Sequence, residues 1–489
     1  MSILLKDKNC RIASLDIHSP LYLRSCGDSH CGGDIGELYP LIERAQGAGF
    51  KLIQFTPIQD TGLNQSPYSG ISIFSYNPIH LSVERLPQSD RIKWIKDEYL
   101  KRNACQRDHI DYGSLYNYKI EVLAALFDDT DGVINFDDIE RNVLAYALFV
   151  VLREQFRLSW DQWPKEFRQG NVTQILVNHP ELHRAVSFVL FSQATLERQW
   201  QEAADFADQH NIEFVFDKPI YPEADSAEVW SNQSLFYLEP DGSPKFVSGC
   251  NHPGDPFGPQ QWGHAVYRFM EKPDKVIQYF VESIRHLSKI SKVIRLDHTL
   301  ALIWKYYIID PATGLGKHHR AMGRKLFVAL KKSFPDVFFI AEDVGYISES
   351  EVDAPLRRLG IPGMRCLQWL DIKKYHQVAR YPKLCLAMTS NHDLPSFPAW
   401  WSGLSESAKK GYFGQIRGHG QSAGEVIRLV FDSPARIASI TLRDIIGDNR
   451  PYNMPGQIDP SFWLLQSPVS TEQIDFTAIS EIIAESGRK

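Results

Sequence analysis

Amphipathic helices alternate with short apolar strands along most of the chain. Apolar residues recur at helical spacing over residues 38–45 and end at Gly47, and residues 50–57 follow as a buried strand. The same order of helix and strand recurs at residues 276–287 and 293–297, and again at residues 326–330 and 338–342. Alternation of this kind is typical of parallel βαβ units, so the pattern predicts an α/β fold with a parallel sheet.

The strand predicted at residues 293–297 has one apolar face and one charged face. Side chains alternate between the faces of a strand, so Arg295 and Asp297 share one face, opposite the apolar Leu296. A buried charge needs a partner, and we expect Arg295 to hold Asp297 ionised and to fix its orientation. The same segment also fits a structural ion pair at a strand end, and alone it does not separate the two interpretations.

Two further predicted strands, residues 338–342 and 386–393, also end on a carboxylate, at Glu342 and Asp393. In a (β/α)8 barrel the loops that follow the strands gather at one rim, where the active site lies. We therefore expect Asp297, Glu342 and Asp393 to converge there. A retaining glycosidase needs two such carboxyl groups about 5–5.5 Å apart, one ionised as nucleophile and one protonated as acid.

The surroundings of the three acids suggest a role for each. Asp297, beside Arg295 and His298, suits the nucleophile. Glu342 lies in an apolar strand and near other carboxylates, and both influences are expected to raise its pKa and to favour the acid/base role. Asp393 is expected to hold sugar hydroxyls and to stabilise positive charge in the transition state.

The chain is long for one domain, with 489 residues, but a (β/α)8 barrel can exceed about 400 residues when its loops carry insertions. We expect a single catalytic barrel domain over residues 1–489. The pattern predicts a helical insertion at about 79–200, an active-site loop region at about 221–268 and a smaller helical insertion at about 395–440. The turn-rich residues 61–78 form a long loop of a kind that is usually functional.

Composition narrows the class of protein. A formal net charge of −6 and the lack of a Lys/Arg block argue against nucleic-acid binding, and no run of about 18 apolar residues predicts a membrane span. Seven scattered cysteines, with Cys26 and Cys31 as the closest pair, fit a reducing compartment. Residues 1–14 lack the apolar core of a signal peptide, so we expect a cytoplasmic protein.

Motifs of rival chemistries do not occur. The sequence has no His-Glu-x-x-His metal motif, no Gly-x-Ser-x-Gly nucleophile elbow, and no phosphate-binding or dinucleotide-binding glycine motif. The glycine-rich residues 32–36 fit a turn followed by a helix start.

Four acid-containing segments resemble the short conserved blocks of the α-amylase clan, namely residues 214–217, 294–298, 340–343 and 390–393. Within that clan the chain resembles the 4-α-glucanotransferases, also called amylomaltases or disproportionating enzymes, of glycoside hydrolase family 77. Six further matches to that family lie in family-like order at residues 33–36, 66–78, 225–230, 261–267, 359–368 and 453–456.

The resemblance implies a (β/α)8 TIM barrel and the transfer of an α-1,4-glucan segment to the 4-hydroxyl of glucose or of another glucan. It implies Asp297 as nucleophile, Glu342 as acid/base and Asp393 as transition-state stabiliser, with no metal or organic cofactor. Substrate-binding positions carried over from the family are Tyr68, Asp225, Arg295, Trp369, His392 and Asn453. The expected partners are a glucan donor and a sugar acceptor, for a monomer or small homo-oligomer.

Three departures from the family pattern concern the acceptor rather than the acids. Residues 299–301 read Thr-Leu-Ala where the family usually has Phe-Arg-Gly, and Asn391 replaces a threonine and Leu394 an asparagine. The loop around residues 248–261 contains Cys-Asn-His-Pro-Gly-Asp-Pro instead of the usual Pro-Pro-Asp-Tyr-Phe. These loops set acceptor preference and the ratio of transfer to hydrolysis. An α-glucan hydrolase of the same clan and a non-catalytic glucan-binding relative are the alternatives, and the three retained acids argue against the second.

Overall fold

A computed structural model gives the fold of the chain. It describes residues 2–7, 9–25, 32–103, 109–130, 132, 134–251, 258–343, 352–369, 377–413, 422–457 and 459–488.

The strands are β1 (Ile12–His18), β2 (Phe50–Phe55), β3 (Glu213–Lys218), β4 (Val247–Cys250), β5 (Gln260–Ala265), β6 (Val293–Leu296), β7 (Lys305–Ile309), β8 (Gly316–Arg320), β9 (Phe338–Ala341), β10 (Gly363–Cys366), β11 (Cys385–Met388) and β12 (Ile437–Thr441). The helices are α1 (Ile3–Lys6), α2 (Leu38–Gly47), α3 (Asp90–Arg102), α4 (Tyr112–Asp128), α5 (Arg141–Phe156), α6 (Lys165–Arg168), α7 (Val172–Asn178), α8 (His183–Gln209), α9 (Ala227–Ser231), α10 (Pro273–Leu287), α11 (Leu300–Ile303), α12 (Arg324–Ser333), α13 (Ala354–Arg358), α14 (Phe397–Gly403), α15 (Glu406–Phe413), α16 (Ala423–Asp432), α17 (Leu442–Ile446) and α18 (Thr477–Glu485).

Eight parallel strands form a sheet that curls into a barrel. Their order is β10, β11, β12, β1, β2, β3, β6 and β9, and each neighbouring pair is parallel. The first and last strands of this order, β10 and β9, meet and close the barrel, because the Ala341 amide donates a hydrogen bond of 2.9 Å to the Pro362 carbonyl. A side chain at Gly363 would collide with the Asp343 carboxylate there, with a Cβ 2.2 Å from Oδ2. The predicted (β/α)8 TIM barrel is confirmed.

The alternation of faces along the strands separates two cores. Val293 and Ile340 lie among the apolar side chains that fill the inside of the barrel, whereas Ile294 and Leu296 pack in the outer core against the helices. Buried residues spaced along one side of α8, such as Trp200, form the matching helical face.

The insertions lie between barrel strands. Helices α3–α8 separate β2 from β3, and an antiparallel sheet of β5, β4, β7 and β8 flanks the barrel between β3 and β9. Helices α14–α16 lie between β11 and β12. In the part of the chain that the structure covers, no helix is both long enough and apolar enough to span a membrane.

Candidate active site

Arg295 lies beneath the predicted catalytic acids at the C-terminal end of the barrel. Its Nη1 atom donates to Oδ1 of Asp297 at 3.1 Å and also contacts Asp217, and its Nη2 atom is 3.5 Å from Oε2 of Glu342. The side chains of Arg295 and Asp217 are only 2% exposed, whereas those of Asp297 and Glu342 are 21% and 15% exposed. The last two therefore reach the cavity above a buried ion pair.

Main-chain hydrogen bonds hold the ends of β6 and β9 together. The Glu342 amide donates to the Leu296 carbonyl at 3.0 Å, and the Thr299 amide donates to the Glu342 carbonyl at 2.9 Å. His298 has a positive φ of 37°, and its amide donates to Oε2 of Glu342 at 2.5 Å. The turn after Asp297 thus fixes the carboxylate of Glu342 as well as its backbone.

Burial raises the pKa of Asp297 well above its ordinary value, and the charges of Glu342 and Asp217 and a hydrogen bond with Glu342 raise it further. Arg295 opposes this rise. Arg295 does not offset this rise by itself, because one guanidinium faces the three carboxylates of Asp217, Asp297 and Glu342. Asp297 therefore retains its proton to higher pH than an isolated aspartate would.

Asp393 faces the same cavity from the end of β11. Its Oδ1 atom accepts a hydrogen bond of 2.7 Å from Asn453, and its Oδ2 atom lies 3.3 Å from Nε2 of His392. Burial acts to raise the pKa of Asp393, but His392, Arg295 and Asn453 outweigh it and lower the pKa. Burial acts to lower the pKa of His392, and Asp393 reverses this and raises it. The imidazolium and the carboxylate stabilise each other.

Tyr68 connects Asp217, near the end of β3, with His392, which follows β11. Its hydroxyl donates to Oδ2 of Asp217 at 2.6 Å and lies 2.9 Å from Nε2 of His392. Burial and the charge of Asp217 raise the pKa of Tyr68 well above its ordinary value, so the hydroxyl keeps its proton as a donor.

Aromatic rings form two walls of a cavity of about 520 Å³. The ring of Trp463 lies 5.8 Å from those of Tyr68 and His392, and the ring of Trp262 lies edge-on to that of His298 at 4.7 Å. Aromatic faces and convergent polar groups suit a sugar chain, which has apolar ring faces and hydroxyl edges.

Two predicted substrate-binding residues, Asp225 and Arg295, are absent from the described lining of this cavity. The Asp225 carboxylate pairs with Arg153 at 3.2 Å and accepts from the Trp160 amide at 3.1 Å, and Arg295 is buried beneath the acids. The side chain of Trp369 lies outside the described residues. For all three residues, substrate binding stays a prediction.

The predictions about the closest cysteine pair and about the divergent loop fall partly outside the described part of the chain. Cys26, Cys31 and residues 252–257 of the divergent loop lie outside it. Asp343 is buried, and its carboxylate accepts from the Met364 amide at 2.7 Å and from Arg365 at 3.0 Å, which is a structural arrangement.

Sequence reasoning missed the central place of Asp217 and the cavity positions of Trp262, His264 and Trp463. Asp217 ends a predicted strand as the three acids do, so its position was a usable signal. Trp463 carried no such signal, because it lies at a positive φ of 68° in a late loop. Among the described side chains, no group of three or more His, Cys, Asp and Glu residues has a metal-binding arrangement.

Comparison with known proteins agrees with this geometry. A family model described as 4-alpha-glucanotransferase matches residues 20–470. The 4-alpha-glucanotransferase of Clostridium butyricum is 29% identical over 461 residues, covering 89% of this chain and 93% of that protein. The 4-alpha-glucanotransferase of Aquifex aeolicus is 30% identical over 455 residues, covering 89% of this chain and 92% of that protein.

Among solved structures, the amylomaltase from Streptococcus agalactiae in complex with acarbose superposes with a TM-score of 0.83 at 21% identity. The alignment covers 98% of this chain and 99% of that one. This likeness supports the barrel fold. Since the family model matches nearly the whole barrel, from residue 20 to residue 470, the chain belongs to the 4-alpha-glucanotransferase family, glycoside hydrolase family 77.

Proposed function

We propose that this chain transfers a segment of an α-1,4-glucan to the 4-hydroxyl of glucose or of another glucan by a retaining double displacement. The observation that carries the proposal is the pair of carboxyl groups, Asp297 and Glu342, held by one buried guanidinium at the mouth of a cavity that Asp393 also lines. A retaining mechanism requires two carboxyl groups about 5–5.5 Å apart, and contacts of both with the same guanidinium bring Asp297 and Glu342 near each other.

In the first step Glu342 donates its proton to the glycosidic oxygen while Asp297 attacks the anomeric carbon. The bond to the leaving sugar breaks, a covalent glucosyl–Asp297 ester forms, and Glu342 is left ionised. In the second step the 4-hydroxyl of the acceptor attacks the anomeric carbon and passes its proton to Glu342. The ester bond breaks, and Asp297 returns as a carboxylate.

The contacts of Arg295 support this division of labour. Glu342 must carry the proton when the glycosidic bond breaks, and Asp297 must be ionised in order to attack. Arg295 favours the state in which Asp297 is the ionised partner, because its Nη1 atom already donates to Oδ1 of Asp297.

Asp393, His392 and Asn453 are proposed to bind the hydroxyls of the sugar at the reacting carbon. The lowered pKa of Asp393 keeps it anionic, so it can stabilise the positive charge that develops on the sugar ring. Tyr68 is proposed to lie against the same sugar, since its ring and hydroxyl meet His392 and Asp217.

Transfer requires that water be kept from the ester while the acceptor is bound. Residues 61–78 and 221–268 are our candidates for the segments that close the site, and both contribute to the cavity lining. Shortening either segment should shift products toward free reducing sugar, and an unchanged ratio of transfer to hydrolysis would reject this role.

The stereochemistry of azide rescue tests the two acid roles separately. With an α-maltosyl fluoride donor, which needs no acid to leave, Glu342→Ala should still form the ester, and azide should attack it to give the α-azide. In Asp297→Ala, azide should displace fluoride directly from the opposite face and give the β-azide. Exchanged products would reverse the two assignments, and absence of rescue in both variants would reject the double displacement.

A product profile separates transfer from hydrolysis in the wild type. Incubation with maltotriose should give longer oligosaccharides together with glucose. Only shorter products would favour a hydrolase of the same clan.

The cytoplasm is proposed as the compartment, since seven cysteines without a disulfide-like spacing suit a reducing environment. The proposed partners are small or polymeric sugars, a glucan as donor and glucose or a maltooligosaccharide as acceptor. Cell fractionation with an antibody against the chain would test the compartment.

A further inference from the structure

The position of Tyr68 depends on a long loop, residues 61–78, that leaves the barrel rim after β2. The hydroxyl of Tyr68 contacts Asp217 at 2.6 Å and His392 at 2.9 Å, on two different strand ends. Those contacts tolerate little movement, because hydrogen bonds weaken quickly beyond about 3.2 Å. Whatever fixes this loop therefore also fixes the wall of the catalytic cavity.

A buried carboxylate outside the cavity lining holds the far side of the loop. Oε1 of Glu228 accepts hydrogen bonds from the Ser72 hydroxyl at 2.7 Å and from the Ile73 amide at 2.8 Å. The adjacent Ala227 amide donates to the Ile71 carbonyl at 3.0 Å. Residues 71–73 are thus attached to the N-terminus of α9 by three hydrogen bonds.

Keeping the carboxylate of Glu228 ionised in this buried position costs free energy. The residue is 3% exposed, and burial raises its pKa to about 7, although the Ser72 and Ile73 hydrogen bonds and the charge of Lys218 lower it. A neutral side chain of similar size would avoid this cost. A buried charge kept close to an active site is a reason to look for a role beyond packing.

We propose that Glu228 is a positioning residue for the transfer reaction: it fixes residues 71–73 so that Tyr68 stays in contact with Asp217 and His392 and the cavity wall excludes water. The proposal rests on the proposed function, in which Tyr68 contacts the sugar at the reacting carbon. Glu228 itself touches no substrate, and its effect passes through the loop.

The first comparison uses two substitutions at the same position. Glu228→Leu removes both acceptor contacts at similar volume, and Glu228→Gln keeps an amide oxygen that accepts from Ser72 and Ile73. We expect Glu228→Leu to lower kcat about tenfold, since displacements of 1 Å can cost up to about a hundredfold. The ratio of transfer to hydrolysis should fall several-fold. Glu228→Gln should recover most of both quantities.

A double-mutant cycle shows whether the effect passes through Tyr68. Tyr68→Phe removes the hydroxyl contacts, and we expect it to slow transfer in the wild-type background but only slightly in Glu228→Leu. Such non-additivity is the signature of residues that act through one contact. Ser72→Ala, which removes one of the two donors, should show a weaker coupling of the same sign and carries the test if Glu228→Leu does not fold.

Glu213, the first residue of β3, supplies a matched control away from the cavity. Its carboxylate also accepts from a serine hydroxyl, Ser2 at 2.6 Å, and from a backbone amide, Ile3 at 2.6 Å. Glu213→Leu should lower the melting temperature by an amount comparable with Glu228→Leu, and leave the transfer ratio and the effect of Tyr68→Phe unchanged.

Additive effects of Glu228→Leu and Tyr68→Phe would overturn the proposal. So would equal falls in the ratio of transfer to hydrolysis for equal losses of melting temperature in Glu213→Leu and Glu228→Leu. If Tyr68→Phe were silent in the wild-type background while Glu228→Leu lowered the ratio, the role of Tyr68 in the proposed function would fail and the proposal with it. A failure confined to Glu228 would leave the proposed roles of the three acids intact.

Discussion

Both ends of the barrel bury arginine side chains, but their partners differ. At the N-terminal end, Arg488 donates to main-chain carbonyls of Phe431 at 2.7 Å, Ser433 at 3.0 Å and Ala435 at 3.0 Å. At the C-terminal end, Arg295 meets the carboxylates of Asp217, Asp297 and Glu342. One guanidinium joins segments of chain, and the other joins acidic side chains beside a cavity.

The two arginines also differ in how strongly they hold their protons. Burial and the nearby Arg11 lower the pKa of Arg488 to about 9. Burial acts in the same direction on Arg295, but Asp217 and Glu342 outweigh it and raise the pKa of Arg295 well above its ordinary value. A buried charge is therefore a structural feature where it meets carbonyl dipoles. It indicates a catalytic site where several opposite charges border open space.

The largest expected difference between the two ends of the barrel is the loss of transfer activity when an acid of the cavity is substituted. Asp297→Asn should reduce transfer by a factor of about 10⁴ or more, because an amide cannot form the glycosyl ester. Initial rates with maltotriose measure this. Glucan binding by calorimetry should persist in the variant, and a variant within tenfold of wild type would remove Asp297 from the nucleophile role.

Arg295→Met should combine loss of activity with loss of stability. It leaves Asp217 buried without its cation, which is expected to cost about 3–5 kcal/mol of unfolding free energy. Denaturant unfolding measures this cost, and transfer should fall at least a hundredfold in the folded fraction. If the variant unfolded like the wild type, the buried ion pair would not be what supports the acids.

Arg488→Met should affect stability alone and thereby sharpen the contrast. Loss of its carbonyl contacts is expected to cost about 1–3 kcal/mol, because buried carbonyls are left unsatisfied. Transfer activity per folded molecule should match wild type when assayed below the unfolding transition. A changed product profile in this variant would contradict a purely structural role for Arg488 at the N-terminal end of the barrel.

The smallest expected effect is a pH dependence of stability at Asp297. A carboxyl group whose pKa is raised on folding destabilises the folded protein at neutral pH, since ionisation is harder there than in the unfolded chain. Asp297→Asn should therefore be more stable than wild type at pH 7, by roughly 1–2 °C in melting temperature. The gain should shrink as pH falls toward about 3.9, where the unfolded carboxyl also binds its proton.

A melting series from pH 4 to pH 8 on both proteins tests this sign. A difference that grew toward low pH would mean that folding lowers the pKa of Asp297 instead.

Much of the fold was readable from local pattern. The predicted helix at residues 38–45 is part of α2, and the strand ending at Asp297 corresponds to β6. Both were readable because a core-facing stripe leaves a period in the sequence. Strand β10 is only four residues long and ends at Cys366, since the chain turns into a short 3-10 helix at Leu367. Boundaries of this kind depend on neighbours that the local pattern does not contain.

The candidate site was only partly readable. Asp297, Glu342 and Asp393 were predicted because each ends a predicted strand, and all three line one cavity. Asn453 donates to Asp393 at 2.7 Å, and the substrate-binding role that the resemblance implies for it stays a prediction. The environment of Asp297 was not found. Its pKa depends on how many carboxylates share Arg295, and that number includes Asp217, which lies 80 residues earlier in the chain.

The sequence alone determined that this is an alternating α/β chain of the 4-alpha-glucanotransferase family with acids at its predicted strand ends, because strand periodicity and family blocks are local properties. Only the tertiary structure decided which charges share a partner, where Asp225 lies, and that Glu228 holds the loop of Tyr68. Electrostatic and hydrogen-bond energies depend on distances and burial in space. Residues far apart in the sequence meet only when the barrel closes.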